Sequence, residues 1–189
     1  EAGKIGAYGV SEWSSAHIRE AHGVYPMAAV QTEFSLWTRN VELGVLETTR
    51  DLGIALVAFS PVARGALGGE LKDTATLGEN DLRRNMPRFG AENWPDNLEL
   101  LNRFDALAKD AGVTPAQLAL AWVLSHGEHI HAIPGTTSMD HMQQNFAAPS
   151  QDIGADVLRQ AGELINQHSI SGHRYPEIMR NTIDTEDYA

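Results

Sequence analysis

Four short apolar runs alternate along this chain with segments of helical periodicity, and this alternation is the strongest constraint on its fold. The apolar runs lie at residues 5–10, 28–33, 54–59 and 129–133, and helices are predicted at residues 14–22, 40–52, 98–108, 114–125 and 152–168. Strands that alternate with helices pair in parallel, because each helical crossover returns the chain to the same end of the sheet. The pattern therefore predicts an α/β fold in which parallel strands are covered by outer helices.

Turn and capping residues mark several of the predicted boundaries. Thr114, Pro115 and Gln117 match a capping box with proline at the first helical position. Gly23 and Gly53 are placed to end the first two helices. Four strands suffice for a small open sheet or for half of an eight-stranded barrel, and the half barrel would carry two unpaired edges.

Two segments lack regular periodicity. Residues 60–96 are rich in Gly, Asn, Arg and Pro, and we expect a long loop there with a short helix near Leu82. Loops of this length are usually functional or disordered. The tail from about residue 169 is expected to be irregular. The first residues read like the end of a helix that runs into a strand, so we expect the chain to begin in mid-fold.

Charge and composition exclude several functions. The 189 residues include 14 Lys plus Arg against 25 Asp plus Glu, and the formal net charge of -11 repels nucleic acids and anionic membranes at long range. There is no cysteine, which excludes disulfides and is typical of a reducing compartment. No apolar stretch approaches the roughly 18 residues of a membrane span. We therefore expect a soluble, cytoplasmic protein that binds neither nucleic acid nor membrane.

The strand predicted at residues 54–59 ends in residues suited to a binding site. Phe59 could offer a flat apolar face, Ser60 a hydroxyl group, and the backbone of residues 62–65 a row of N–H donors for phosphate oxygens. Arg64 could add positive charge. The alternative is an ordinary strand exit, in which Pro61 stops the pairing and the glycine at position 65 permits a turn.

All four predicted strands end in polar residues, and together these ends resemble the aldo-keto reductases, which are nicotinamide-dependent (β/α)8 barrels. The matching segments are Gly-Val-Ser-Glu at residues 9–12, Gln-Thr-Glu-Phe-Ser-Leu at 31–36, Phe-Ser-Pro-Val-Ala-Arg-Gly at 59–65 and Ile-Pro-Gly-Thr-Thr at 133–137. They occur in the family's order and span nearly the whole chain. The resemblance implies that residues 1–189 are the C-terminal half of such a barrel, with strands five to eight.

The resemblance also implies where a nicotinamide dinucleotide would bind. Ser11 and Gln31 would hold the carboxamide and Phe59 would stack on the nicotinamide ring. The pyrophosphate segment would comprise Ser60, Pro61, Val62, Arg64 and Gly65. The adenosine end would comprise Gly135, Thr136, Ser138, His141, Gln144 and Asn145, with Ser138 capping a short helix. NADP is the expected cofactor and NAD is possible, because no permanent cation lies near Ser138 or His141 for a 2′-phosphate.

The family's catalytic residues, Asp, Tyr, Lys and His, fall before residue 1 of this chain. We therefore assign no catalytic residue here, and Tyr8 and Tyr25 match no catalytic position. Joined to its missing half, the chain is expected to reduce aldehydes or ketones to alcohols. The alternative is a non-catalytic dinucleotide-binding regulatory subunit or a truncated barrel fragment. In each case we expect the chain to pack against the N-terminal half-barrel or a second copy, because interior side chains such as Val30, Val57 and Ile133 would otherwise be exposed.

Histidine and tryptophan residues leave further alternatives open. His126, His129 and His131 lie close together, but no carboxylate motif accompanies them, so a metal site is disfavoured. The predicted loops also contain tryptophans, which could form an aromatic wall around an apolar substrate or simply anchor the loops. The three concerned are Trp13, Trp37 and Trp94, whereas Trp122 has the helical spacing of a core residue.

Overall fold

The computed structural model describes residues 2–188, and Glu1 and Ala189 lie outside the described residues. The strands are β1 (Gly9–Ser11), β2 (Ala29–Glu33), β3 (Ala55–Phe59) and β4 (Ile130–Ile133). The helices are α1 (Ser15–Val24), α2 (Val45–Leu52), α3 (Trp94–Asp110), α4 (Pro115–Leu124), α5 (Met139–Ala147), α6 (Ala155–Leu164) and α7 (Glu177–Arg180). None of the helices in the described part of the chain is long and apolar enough to cross a membrane.

The four strands form one parallel sheet in the order β1-β2-β3-β4. This confirms the predicted α/β fold with parallel strands and helices. Val30, Leu56 and Ile130 lie in register across the sheet, and all three are buried in the core beneath the helices. Trp122 of α4 belongs to the same core, as its spacing predicted.

The opposite face of the sheet is open. Ser11, Gln31, Val57 and His131 form one row across the strands, and only Val57 in this row is partly covered. The prediction that Val30 lies on this face is wrong, because side chains alternate along a strand and Val30 has the parity of the helix-covered side. Val57 follows Leu56 along β3, so its side chain lies on the open face.

Exposed apolar side chains gather beside the two edge strands. Ile5, Val24 and Tyr25 lie in the segments that flank β1, and their exposed fractions are 74%, 84% and 58%. A second group lies on β4 and along α5. Its members are Ile133, Met139, Met142 and Phe146, of which Phe146 is 88% exposed. Soluble monomers rarely expose such groups.

Several boundaries differ from the prediction for local reasons. The first strand spans Gly9–Ser11 rather than residues 5–10, because β2 offers ladder partners only from Ala29 onward. Helix α1 continues through Gly23 to Val24. The helix predicted at residues 40–52 is divided at Gly44, where a Cβ atom would lie 2.7 Å from the Ser15 hydroxyl oxygen.

Other local signals are confirmed. Thr114 and Gln117 form the capping box of α4, and Gly53 ends α2 in the left-handed conformation. Ser138 caps α5, since its hydroxyl oxygen accepts the His141 N–H. The helix predicted at residues 152–168 is shorter, and α6 spans Ala155–Leu164.

The long loop is closed by an aromatic stack rather than left open. Phe89 lies between Trp37 and Trp94, with ring centroids 6.0 and 5.7 Å apart, and all three rings are buried. Trp94 begins α3, so the loop ends before it, and a short 3-10 helix at Leu82–Asn85 confirms the helix predicted near Leu82. Trp37 and Trp94 therefore anchor the loop, although Trp37 also lines a second cavity of about 250 Å³ beside Arg88.

The histidines near β4 do not form a metal site. Across residues 2–188, no group of three or more His, Cys, Asp or Glu side chains is placed to hold a metal ion. His126 packs edge-on against Trp122 and Phe34, with ring centroids 4.2 and 5.2 Å away. Burial in this aromatic pocket lowers the pKa of His126.

Candidate functional site

A cavity of about 430 Å³ opens at the carboxyl ends of β3 and β4. This is the size range of small-molecule sites, and the end of a parallel sheet is where such sites form. Ten of the residues predicted for cofactor binding line it. They are Phe59, Ser60, Val62, Arg64, Gly65, Gly135, Thr136, His141, Gln144 and Asn145.

The backbone after β3 is held in an unusual conformation. Ser60, Ala63 and Arg64 have φ angles of 50°, 50° and 55°, and Gly65 follows with φ of 91°. Residues other than glycine rarely adopt this left-handed region, so the turn stores strain beside the cavity. The N–H groups of Ala63 and Gly65 donate to the carbonyls of Ser60 and Val62, at 2.8 and 3.0 Å. Of the predicted row of donors, Val62 and Arg64 are the candidates that remain to face a ligand.

The Arg64 side chain lines the cavity but is held by protein groups. Its Nη2 donates to Glu33 Oε2 at 3.0 Å and to the Tyr175 hydroxyl oxygen at 2.8 Å. The Glu33 side chain is only 3% exposed, so the ion pair lies largely out of water. The charge of Arg64 is therefore compensated by Glu33, and its fixed position makes it a rigid wall of the cavity.

The predicted adenosine end of the site includes an unexpected carboxylate. His141 Nε2 lies 3.0 Å from Glu70 Oε1, and both residues line the cavity with Gln144 and Asn145. Glu70 lies in the long loop with no motif around it, so the sequence offered no signal for its role. A carboxylate at this position repels a phosphate group, and it can accept hydrogen bonds from hydroxyl groups.

Four predicted residues lie outside the cavity. Ser11 and Gln31 are neighbours across β1 and β2 on the open face of the sheet. Pro61 is buried under the turn. The Ser138 hydroxyl oxygen accepts the His141 N–H at 3.3 Å, so it serves the N-terminus of α5. Their assignment to cofactor binding stays a prediction.

A buried cluster of charges lies at the carboxyl ends of β1 and β2. Arg174 from the tail forms ion pairs with Glu12 and Glu33, and its side chain is 4% exposed. Burial opposes the charge of Arg174, but the carboxylates of Glu33 and Glu12 raise its pKa overall. Its guanidinium also lies 4.7 Å above the Tyr175 ring.

Arg88 adds a second, partly buried cation near this cluster. It donates to the Trp37 carbonyl, to the Thr38 hydroxyl at 2.9 Å and to the Gly172 carbonyl at 3.1 Å. Burial lowers the pKa of Arg88 to about 10, which still leaves it charged at neutral pH. No sequence pattern indicates where these arginines lie, although two carboxylates at buried strand ends imply that some cation must meet them.

The sequence profile of the Aldo/keto reductase family matches residues 1–165. The chain belongs to the aldo/keto reductase family. It is 41% identical over 177 residues to a Glycine max protein named probable aldo-keto reductase 1, covering 93% of this chain and 50% of that protein. It is 38% identical over 179 residues to aldo-keto reductase yakc of Schizosaccharomyces pombe, whose name carries the qualifier NADP(+), covering 93% of this chain and 53% of that protein. The chain thus spans about half the length of these family members.

Solved structures of aldo/keto reductases resemble this fold. A glycerol dehydrogenase from Gluconobacter oxydans matches with a TM-score of 0.78 and 25% identity, over 88% of this chain and 50% of that chain. A thermostable aldo-keto reductase solved with the inhibitor epalrestat matches with a TM-score of 0.61 and 23% identity, over 84% and 48%. The second likeness concerns the fold alone.

Proposed function

We propose that this chain is the cofactor-binding C-terminal half of an NADP(H)-dependent aldo-keto reductase, with strands five to eight of the barrel. The observation that carries the proposal is the cavity at the ends of β3 and β4, where ten residues of the family's cofactor motifs meet. The two motif segments meet because β3 and β4 pair side by side, and the residue types that meet there are those of the family's cofactor motifs.

The residues around the cavity fit a nicotinamide dinucleotide. Phe59 offers an apolar ring at the end of β3, and the strained turn after it offers backbone N–H groups close to Arg64. Gln144 and Asn145 offer amide groups beyond β4 that suit a nucleobase edge. When bound, NADP(H) supplies or accepts the hydride in this family's reaction.

The chain's own residues would bind and orient rather than transfer protons. Phe59 would cover one face of the nicotinamide ring, and the Val62 and Arg64 amides would hold the pyrophosphate. Ser11 and Gln31, on the open face beside β3, would fix the carboxamide and hence which face of the ring meets the substrate. A small carbonyl substrate would enter from the same side.

The preference for NADP is proposed from the relative whose name specifies NADP(+). Arg64 and His141 are basic side chains at the cavity, but each faces a carboxylate, Glu33 and Glu70 respectively. A carboxylate beside each basic side chain leaves room for NAD as a second cofactor.

The open sheet supports the half-barrel part of the proposal. The chain covers about half of its relatives, its two edge strands each lack one neighbour, and exposed apolar side chains flank both edges. Four further β/α units would pair both edges and bury these groups. The proton donor would come from that preceding half, with its Asp, Tyr, Lys and His residues.

Activity of the isolated chain and of the full-length protein tests the proposal. We expect the full-length protein to oxidise NADPH with an aldehyde or ketone, and the 189-residue chain to show no turnover, because a carbonyl needs a proton from the absent half. Turnover by the isolated chain, free of full-length enzyme, would refute the division of roles. A full-length protein that binds NADPH without turnover would instead be a regulatory dinucleotide-binding subunit.

Sedimentation of the isolated chain tests the half barrel directly. We expect self-association or aggregation at micromolar concentration, because the two unpaired strands and their apolar flanks remain exposed. A stable, compact monomer with cooperative unfolding would mean that these four strands form a complete domain.

A further inference from the structure

Helix α1 begins directly after the end of β1 without a cap of its own. Ser14 is its N-cap residue, but the Ser14 side chain makes no capping bond to the helix, and the first turn contains no acidic residue. The first N–H groups of a helix need acceptors, and negative charge is favourable beside them. Those acceptors must therefore come from elsewhere in the chain.

The C-terminal tail supplies them. Asp184 Oδ2 accepts from the Ser14 N–H at 2.8 Å and from the Ser14 hydroxyl at 2.7 Å. Glu186 Oε1 accepts from the Ser15 N–H at 2.8 Å, and the Ser15 hydroxyl contacts the same oxygen. The helix is thus capped by carboxylates about 170 residues further along the chain.

The same tail segment holds the residue that links β1 to α1. The Glu12 carbonyl accepts from the Asp184 and Thr185 N–H groups, at 3.0 and 3.1 Å. Glu12 has a φ angle of 57°, a left-handed conformation that a residue with a side chain adopts only when its surroundings enforce it. The tail bonds supply part of that enforcement.

The Glu12 side chain is fixed from the other side. Its Oε1 accepts from the Thr32 hydroxyl at 3.0 Å and from the Glu33 N–H at 2.8 Å, and its Oε2 pairs with Arg174. Glu12 therefore joins β1, β2 and the tail at one point, directly after Ser11. Undocking of the tail would remove these bonds from the residue that follows Ser11.

We infer that Asp184 and Glu186 are positioning residues for Ser11 at the carboxyl end of β1. They hold the junction between β1 and α1 in the conformation that binds the ligand. Tail docking and ligand binding at the strand ends are then coupled, and each strengthens the other by the same factor. The identity of the ligand as a nicotinamide dinucleotide rests on the proposed function. The tail contacts themselves do not.

Proteolysis of the full-length protein measures tail docking. Arg180 is exposed and precedes the docked segment, so release of the residues after Arg180 by trypsin, followed by mass spectrometry, reports undocking. We expect saturating NADPH to slow this cleavage, and Asp184→Ala to accelerate it roughly ten-fold, as for the loss of a strong helix cap. Asp184→Asn keeps one acceptor oxygen, so its cleavage rate should lie between those of the wild type and Asp184→Ala. Glu177→Gln, in the same tail but away from α1, is the matched control and should cleave like the wild type.

NADPH affinity of the same variants completes the test. We expect Asp184→Ala to weaken NADPH binding several-fold, with Asp184→Asn weakened less and Glu177→Gln unchanged. Equal NADPH affinity in wild type and Asp184→Ala would overturn the inference and leave the proposed function standing. If the wild type bound no NADPH while Asp184→Ala still accelerated cleavage, the proposed function and the coupling would fail, and only the capping contact would remain. Should Asp184→Ala fail to fold, the graded comparison of Asp184→Asn with Glu177→Gln decides by the same criteria.

Discussion

At the carboxyl ends of β3 and β4, the site is made mainly of backbone turns and uncharged side chains around an open cavity. At the carboxyl ends of β1 and β2, it is made of buried charges closed by the tail. The first region is built mainly from the segments that follow β3 and β4 along the chain. The second depends on partners such as Arg174 and Asp184, which lie 162 and 170 residues from Glu12 and Ser14. The first region is therefore a surface shaped for a ligand. The second is a buried support, made of ion pairs and tail contacts, that holds the strand ends in place.

The largest expected effect concerns the buried support. Arg174→Met leaves Glu12 without its cation, although Glu33 keeps Arg64, so we expect the free energy of unfolding to fall by about 3 kcal/mol. Urea unfolding of the full-length protein measures it. Arg159→Met is the control, since Arg159 pairs with exposed acids and its loss should leave the free energy of unfolding almost unchanged. Equal losses in the two variants would remove the distinction between support and surface.

The next effect concerns the cavity. Phe59→Ala in the full-length protein removes stacking area, and we expect NADPH binding to weaken by about 1 to 3 kcal/mol by analogy with aromatic stacking on bases. The unfolding free energy should change less than for Arg174→Met, because Phe59 is only partly buried. Ile178→Ala, at an exposed position of α7, controls for loss of apolar surface. Unchanged affinity and hydride-transfer rate would contradict the assignment of Phe59.

A smaller effect follows from the pair of His17 and Asp184, whose Nδ1 and Oδ2 atoms lie 2.6 Å apart. The hydrogen bond and charge of Asp184 raise the pKa of His17, so this contribution is complete below about pH 6.5 and is lost as the pH rises through the folded-state pKa. Bonds from the Ser14 backbone and His17 lower the pKa of Asp184 to about 2. Its contribution is therefore complete above about pH 4, and it is lost as the pH falls through the folded-state pKa of about 2. Tail docking should therefore be strongest between about pH 4 and 6.5. An NMR titration of His17 with a midpoint no higher than in Asp184→Ala would contradict this.

The smallest effect concerns cofactor choice. Glu70→Gln removes a carboxylate beside His141, and we expect NADPH affinity to rise up to about five-fold while NADH affinity stays constant or falls. Both side chains are substantially exposed, which limits the gain. Glu79→Gln, another exposed acid of the same loop, is the matched control. Parallel changes for the two dinucleotides would place the 2′-phosphate elsewhere.

The elements that sequence predicted well are those whose cause is local. The capping box at Thr114 and the left-handed Gly53 each depend on neighbouring residues, and the structure contains both. The segments that line the cavity lie together because parallel strand ends meet wherever the strands pair, and their assignment to cofactor binding stays a prediction. The predicted α/β fold followed from the alternation of strands and helices alone.

The elements that sequence missed depend on distant or non-periodic contacts. Arg174 and Asp184 lie in a tail without periodicity, and nothing in their neighbourhood indicates that they meet Glu12 or Ser14. Val30 was assigned to the wrong face, because an apolar run fixes the alternation of side chains but not which parity faces the helices. Trp94 was placed in a loop, since its stacking on Phe89 is a tertiary contact.

The capping of α1 by Asp184 also sets an order of events during synthesis. Ser14 leaves the ribosome about 170 residues before Asp184, which corresponds to roughly 10 to 30 seconds of translation. Throughout that interval α1 has a frayed beginning, and the junction at Glu12 lacks its tail contacts. The nascent chain can pair its strands early, but the β1 end of the site is completed only when the last residues of this segment emerge.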